Sequence, residues 1–434
     1  MRIGLQAWGS EGDIRPLIAL AHGLSGRGHD VELLYTDFED RQFDALASRL
    51  GFRAQAIATP VVDPDEMTRI GRLVMAARDP LTQSQVIVRH LFDPVAEQMF
   101  AASTDLCRRS ELVVGHFFLY QLQAAAELAG RPYTSVMFAH NLVPSRSITP
   151  SGLPRLGNWA NGLEWSLARF AVNRMKRADV NGFRTRLGLP PIADVMTQAW
   201  TSQQLNLIAV SPTICQPPAD WPSQHRVSGF LAMTSNTQEA IPDDVHTFLN
   251  DGAPPVFMGF GSLMPRDRAQ LDETASILRK AAARAGSRAI IQVPPDSDLA
   301  GGREGDVLMI GRVSHAALFP LCAAVVHHGG AGTTHTALTA GVPSVVVPHV
   351  ADQFFWADEL RRIGVAVKPV LRRSLSAEAL ADRIRTTLST PGLHERAREL
   401  ATRIRGENGV ERAADLIEGQ QSTISVPLSI PPRL

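Results

Sequence analysis

Short apolar runs alternate along the chain with longer segments whose apolar residues recur at helical spacing, the signature of strands and amphipathic helices taking turns. Ile3 to Trp8 and Val31 to Tyr35 read as strands. Between them Leu17, Leu20, Ala21 and Leu24 share one face of a helix from Pro16 to Arg27, closed by Gly28. Pro16 suits a first helical turn, where its missing N–H costs nothing. Leu112 to Val114, Thr134 to Phe138 and Leu205 to Val210 are further strands, with a helix at Gln121 to Leu128. The second half repeats the pattern: strands at Val256 to Phe260, Ala289 to Val293 and Val307 to Ile310, and a helix at Arg268 to Ala285. Then Cys322 to Val326 reads as a strand, Thr333 to Ala340 as a helix and Ser344 to Val347 as a strand, with later helices at Ala377 to Leu388, Leu393 to Arg405 and Glu411 to Glu418. This alternation predicts an α/β protein with parallel sheets covered on both faces. PPADWPSQH and TSNTQEAIPDD read as an irregular connection, which sets the domain boundary at 215–242.

With 434 residues there is room for two or three domains. Acidic and basic residues balance at 43 each, so no overall basic field argues for a nucleic-acid partner or an anionic membrane surface. Cys107, Cys215 and Cys322 lie far apart and fit buried thiols in a reducing cytosol. The first residues run straight into a strand and no apolar run is long enough to span a bilayer, so a cytoplasmic protein with at most peripheral membrane contact is expected.

The chemistry concentrates at His327-His328-Gly329-Gly330-Ala331-Gly332-Thr333-Thr334. Small residues between a strand and a helix let several N–H groups point into one concavity at the helix start, where the dipole favours an anion. That is a seat for a diphosphate, with Thr333 and Thr334 as extra donors and His327 at the strand end. Near the N-terminus the loop Gly9 to Arg15 follows the first strand, where open sheets bind ligands. Its glycines lack the dinucleotide-binding spacing, and Glu11 and Asp13 occupy places a pyrophosphate would approach. Asp13, just ahead of the predicted helix, suits an N-cap. Asp63 with Asp65, and Asp296 with Asp298, have metal-pair spacing but lie in Pro-rich turns.

HHGGAGTT, AGVPSVVVP and the DQ that precedes FWA, together with the N-terminal GSEGDIRP, resemble the GT-B fold glycosyltransferases of family 1, in the sterol glucosyltransferase and bacterial natural-product or rhamnolipid-type branch. The resemblance implies two Rossmann-like domains facing across a cleft: residues 1–214 binding acceptor, 243–405 binding donor, 406–420 as a helix returning to the first domain, and 421–434 as a flexible tail. It implies an inverting transfer of a hexose or deoxyhexose from a UDP- or dTDP-sugar to a hydroxyl of a lipophilic acceptor, with no metal and no other cofactor, in a monomer or homodimer. Asp13 is then the base. Ser262, His327, Gly330, Gly332 and Thr333 hold the diphosphate, Asp352 and Gln353 the sugar, and Arg312, Val313 and His335 the nucleoside. His335 stands where plant members carry a ribose-binding glutamate. Ser10, His116, His140 and Asn141 are acceptor-pocket candidates, and the mixed stretch from Thr59 to Phe100, with Met67, Ile70, Leu73, Val74, Leu91 and Phe92, is a candidate apolar wall. A nucleotide-sugar 2-epimerase of the same fold and an inactive nucleotide-sugar-binding accessory protein are the alternatives.

Overall fold

The computed structural model describes residues 1–38, 40–60, 63–77, 79–151, 153, 156–233 and 241–424; part of the expected connection and the end of the expected tail therefore lie outside the described residues. The first sheet contains β1 (Arg2–Gly9), β2 (Asp30–Asp37), β3 (Arg53–Ala56), β4 (Leu112–His116), β5 (Tyr133–Met137), β6 (Leu205–Ile208) and β7 (His225–Val227), in the order β3-β2-β1-β4-β5-β6-β7. All its neighbouring strands are parallel. The second contains β8 (Val256–Gly259), β9 (Ala289–Gln292), β10 (Arg303–Glu304), β11 (Val307–Ile310), β12 (Ala324–His327) and β13 (Ser344–Val346), in the order β10-β11-β9-β8-β12-β13. Only β10, a short edge strand, runs antiparallel to its neighbour.

In both sheets the strand order reverses beside the first strand of the unit. The crevice at such a reversal, outside the carboxyl ends of the strands, is where open α/β sheets take ligands. The loops after β1 and β4 serve one crevice, and those after β8 and β12 serve the other. Strand β1 is buried along all but its first residue, as a strand covered on both faces must be.

Three expectations need correction. The first helix is Glu11–Gly26 and starts within the loop, because Ser10 and Asp13 close a capping box ahead of Pro16. Pro16 therefore sits in the helix interior. Leu205 to Val210 is not the last strand of the first half, since β7 falls in the stretch read as irregular; it is only three residues long and half polar, too short for a periodic signal. Likewise β3, RAQA, alternates partly exposed residues at the sheet edge and was not foreseen.

Met137, Trp165 and Phe230 pack with Leu338, Val346 and Trp356 in one apolar cluster that joins the two halves. The last helix, Gly409–Ile424, lies against the helix Glu11–Gly26: Ala413, Ala414 and Ile417 enter the first unit's core, and Arg27 pairs with Glu411, Asp415 and Glu418.

Candidate active site

A cleft of ≈2890 Å3 opens between the two sheets, lined by the loops at their carboxyl ends. Asp13 lies on its first-unit wall. One carboxylate oxygen accepts from the Ser10 backbone N–H at 2.9 Å and from the Ser10 hydroxyl at 3.0 Å. Burial raises the carboxyl to about 6 against those two hydrogen bonds, and the nearby Asp37 adds a smaller rise. The side chain still keeps 35% of its surface open to the cleft, so an incoming hydroxyl can reach it. Ser10 both holds Asp13 and lines the cleft.

His116, at the end of β4, lies behind Asp13 with Nε2 3.8 Å from the other carboxylate oxygen. Burial lowers the imidazole to about 3, so it is neutral. It supports Asp13 from below and is not on the cleft wall. His140 and Asn141 are also buried away from that wall; the His140 ring stands edge-on to Phe355 at 4.7 Å, with Nε2 4.0 Å from Glu359. These three residues are corrected from acceptor lining to packing, because each sits at or just past a buried strand end. Met67, Ile70, Val74 and Leu91 of the Thr59 to Phe100 stretch give the cleft apolar lining, whereas Leu73 is exposed and Phe92 lies in the core.

On the opposite wall the helix Ala331–Ala340 begins at Gly330 with no side chain capping it, so its first N–H groups are open to the cleft. The start of this helix meets the start of the helix Glu11–Gly26: a Cβ built on Gly332 would stand 4.0 Å from the Gly12 Cα. Two positive helix ends therefore converge on one gap. Thr333 and Ser262 line it.

The two adjacent histidines take different positions. His327, the last residue of β12, is fully buried, and its Nδ1 accepts from the Gly329 N–H at 3.1 Å. The cleft wall carries His328 instead. Its ring is wedged between two glycines: a Cβ on Gly330 would meet the ring at 2.5 Å and one on Gly261 at 3.1 Å. Burial lowers His328 to about 4, with His315 adding to the effect, so it offers a neutral imidazole N–H. The parity of a strand end decides which of two adjacent histidines faces a ligand, and two histidines in a row conceal that parity.

Asp352 and Gln353 form the start of the helix Gln353–Arg362. Burial raises Asp352 to about 7, and the Asp13 charge across the cleft contributes. The Gln353 carbonyl oxygen accepts from the His349 and Val350 N–H groups at 2.8 and 3.0 Å, which shapes its own loop and leaves the amide NH2 for a ligand. Arg312 and Val313 line the cleft after β11. Arg312 reaches 3.9 Å from Glu11 of the opposite unit, and Glu11 also meets Arg15 and Arg41. Burial alone would raise Glu11, yet the three guanidinium groups hold it below its usual range. His335 is stacked on Phe230 at 3.4 Å and edge-on to Trp356 at 5.1 Å. One ring face is committed to that packing, and the residue also lines the cleft.

Neither D-x-D pair is arranged as a metal site. Asp63 caps the helix Pro64–Ala76 by accepting from the Asp65 and Glu66 N–H groups, and Asp298 pairs with Arg268.

An uncapped helix start on one Rossmann-like unit thus faces a carboxylate on the other across the cleft. The solved structure of the kitacinnamycin glycotransferase superposes with a TM-score of 0.70 at 19% identity, covering 96% of this chain and 98% of that one. The family model of the erythromycin biosynthesis protein CIII-like C-terminal domain matches residues 278–414. The O-mycaminosyltylonolide 6-deoxyallosyltransferase of Streptomyces fradiae is 34% identical over 96% of this chain and 97% of its own length. The sterol 3-beta-glucosyltransferase UGT80B1 of Arabidopsis thaliana is 29% identical over 96% of this chain and 67% of its own. The chain belongs to the family 1 glycosyltransferases, in their bacterial natural-product branch, and is a hexosyltransferase.

Proposed function

We propose that the chain transfers a hexose or deoxyhexose from a UDP- or dTDP-sugar to a hydroxyl of a lipophilic acceptor, of the sterol, polyketide or macrolide, or lipid class, with inversion and without a metal. The observation that carries this reading is the convergence of the Asp13 carboxylate and the open start of the helix Ala331–Ala340 on one gap. The donor diphosphate sits on the N–H groups from Gly330 to Thr333, with the Ser262 hydroxyl and the His328 N–H beside it. Asp352 and the Gln353 amide hold the sugar hydroxyls, and Arg312 and Val313 border the nucleoside.

Asp13 accepts the acceptor's O–H proton as that oxygen bonds to the anomeric carbon. The bond from that carbon to the diphosphate oxygen breaks on the opposite face, its electron pair leaving with the nucleoside diphosphate. The configuration therefore inverts through an oxocarbenium-like transition state. The helix dipole, the amides and neutral His328 stabilise the charge that develops on the leaving group, the part a metal plays where a D-x-D pair holds one. A cleft of ≈2890 Å3 exceeds the roughly 300–1,000 Å3 typical of a small-ligand pocket and has room for donor and a large acceptor together. Met67, Ile70 and Val74 supply the apolar side.

The reading is tested by incubating the purified chain with UDP- and dTDP-hexoses and a panel of lipophilic alcohols, with mass spectrometry and anomeric coupling constants as readouts. A glycosylated alcohol of inverted configuration supports it. Epimerised sugar formed without an alcohol, or inertness to every sugar nucleotide, contradicts it.

A further inference from the structure

The helix Asn158–Arg186 has two apolar faces, and only one of them is used by the fold. Ala160, Trp165 and Val172 are buried on one side, and the Trp165 indole N–H donates to the Ile148 carbonyl at 2.7 Å. The other side carries Trp159, Leu163, Leu167 and Phe170 with exposures of 81%, 62%, 58% and 67%. Steps of three or four residues align them in a single stripe. Four large apolar side chains in one row are a surface built for contact, since isolated exposed ones are what folded proteins ordinarily tolerate.

The charges along the same face indicate what covers it. Steps of four and three beyond Phe170 lead to Arg174 and Arg177, both exposed. Arg177 also donates to the Ala193 carbonyl at 3.3 Å. Arg169 and Lys176, nearby, have carboxylate partners in Asp194, Asp93 and Asp179. From Asn158 to Ala178 the only acid is Glu164, and it is buried. The outer face is therefore apolar at its start and positive further along, with no negative charge in that span. The loop before the helix reaches the cleft: the Ser151 hydroxyl donates to the Ala351 carbonyl at 3.2 Å, next to Asp352.

We propose that this stripe docks the protein on an anionic lipid surface, with Trp159, Leu163, Leu167 and Phe170 entering the boundary between headgroups and acyl chains and Arg174 and Arg177 meeting lipid phosphates. The inference concerns binding alone and stands independently of the acceptor's identity.

Flotation of the purified chain with phosphatidylcholine vesicles, with and without phosphatidylglycerol, tests it. Wild type is expected to float with the phosphatidylglycerol vesicles, to bind phosphatidylcholine alone more weakly, and to be released by salt. Arg174→Gln with Arg177→Gln should weaken partitioning roughly 25-fold, at about fivefold for each arginine. Trp159→Ser with Phe170→Ser should abolish it while the melting curve stays in place, since neither side chain belongs to the core. Failure of wild type to bind phosphatidylglycerol vesicles, or binding unchanged in both double variants, overturns the proposal. So does a wild-type dimer that Trp159→Ser separates, which would assign the stripe to a second copy.

Discussion

Gln83 of the first unit grips the loop around Ala351 of the second: its side-chain carbonyl accepts from the Ala351 N–H at 3.2 Å, and its amide donates to the His349 carbonyl at 3.3 Å. Ala351 has φ 50°, a left-handed conformation that an alanine adopts only when its surroundings hold it there. The gripped loop leads directly into Asp352 and Gln353. The acceptor-side unit thereby sets the position of the residues assigned to the donor sugar.

Removing that grip should loosen donor placement rather than unfold the chain. Gln83→Ala is expected to lower kcat/KM for the donor about tenfold, as loss of two neutral hydrogen bonds implies, and to cost about 1–2 kcal/mol of stability, because it empties a buried site and orphans the Ala351 N–H. Gln83→Glu should not rescue it, because a carboxylate would face the His349 carbonyl. Steady-state kinetics with the donor varied provide the check.

The adjacent histidines should separate cleanly on mutation. His328→Ala is expected to lower kcat by about 10²-fold or more with the fold intact, since it removes a donor aimed at leaving-group charge. His327→Ala should instead cost about 2 kcal/mol of stability, because it opens a buried site and orphans the Gly329 N–H. Denaturant titration beside single-turnover rates distinguishes the two.

The fit of His328 gives a related expectation. In Gly330→Ala the new methyl would stand 2.5 Å from the imidazole and displace it. Donor affinity should fall about tenfold, measured by calorimetric titration of UDP or dTDP.

Asp13 and Asp352 are raised from 3.8 to about 6 and about 7, so each binds a proton more tightly in the folded chain than in the unfolded one. Their contribution to stability is fully present below the unfolded value and is lost as pH rises through the folded values. At about pH 8 Asp13→Asn should therefore be more stable than wild type by roughly 1 kcal/mol, a figure discounted for the open cleft, and at about pH 4 the difference should vanish. Wild-type kcat/KM should fall with an acid limb near 6, where Asp13 takes up its proton.

Legibility in the sequence tracked range of interaction. The helix Arg268–Ala285 and the strand β11 (Val307–Ile310) lie where periodicity puts them, because burial on one face writes a local pattern. The glycine elbow was legible for a similar reason, since backbone conformation restricts the residue types, whereas Asp13 was singled out by the resemblance of GSEGDIRP to a family motif. What escaped depends on partners distant in the chain. Gln83 looks like any helix glutamine until the loop at Ala351 is beside it, and nothing local in the sequence brings Phe230 onto the His335 ring. His116 could be placed at a strand end, but not the 3.8 Å that sets it beneath Asp13.

The most direct measurement is the comparison of Asp13→Asn with wild type for donor affinity and for turnover on the same protein. Asparagine keeps the size of the side chain and lacks a basic oxygen, so nucleotide-sugar affinity should stay within about twofold while turnover falls by about 10²–10⁴. Turnover retained at the wild-type level would show that another group takes the acceptor's proton and would contradict the account.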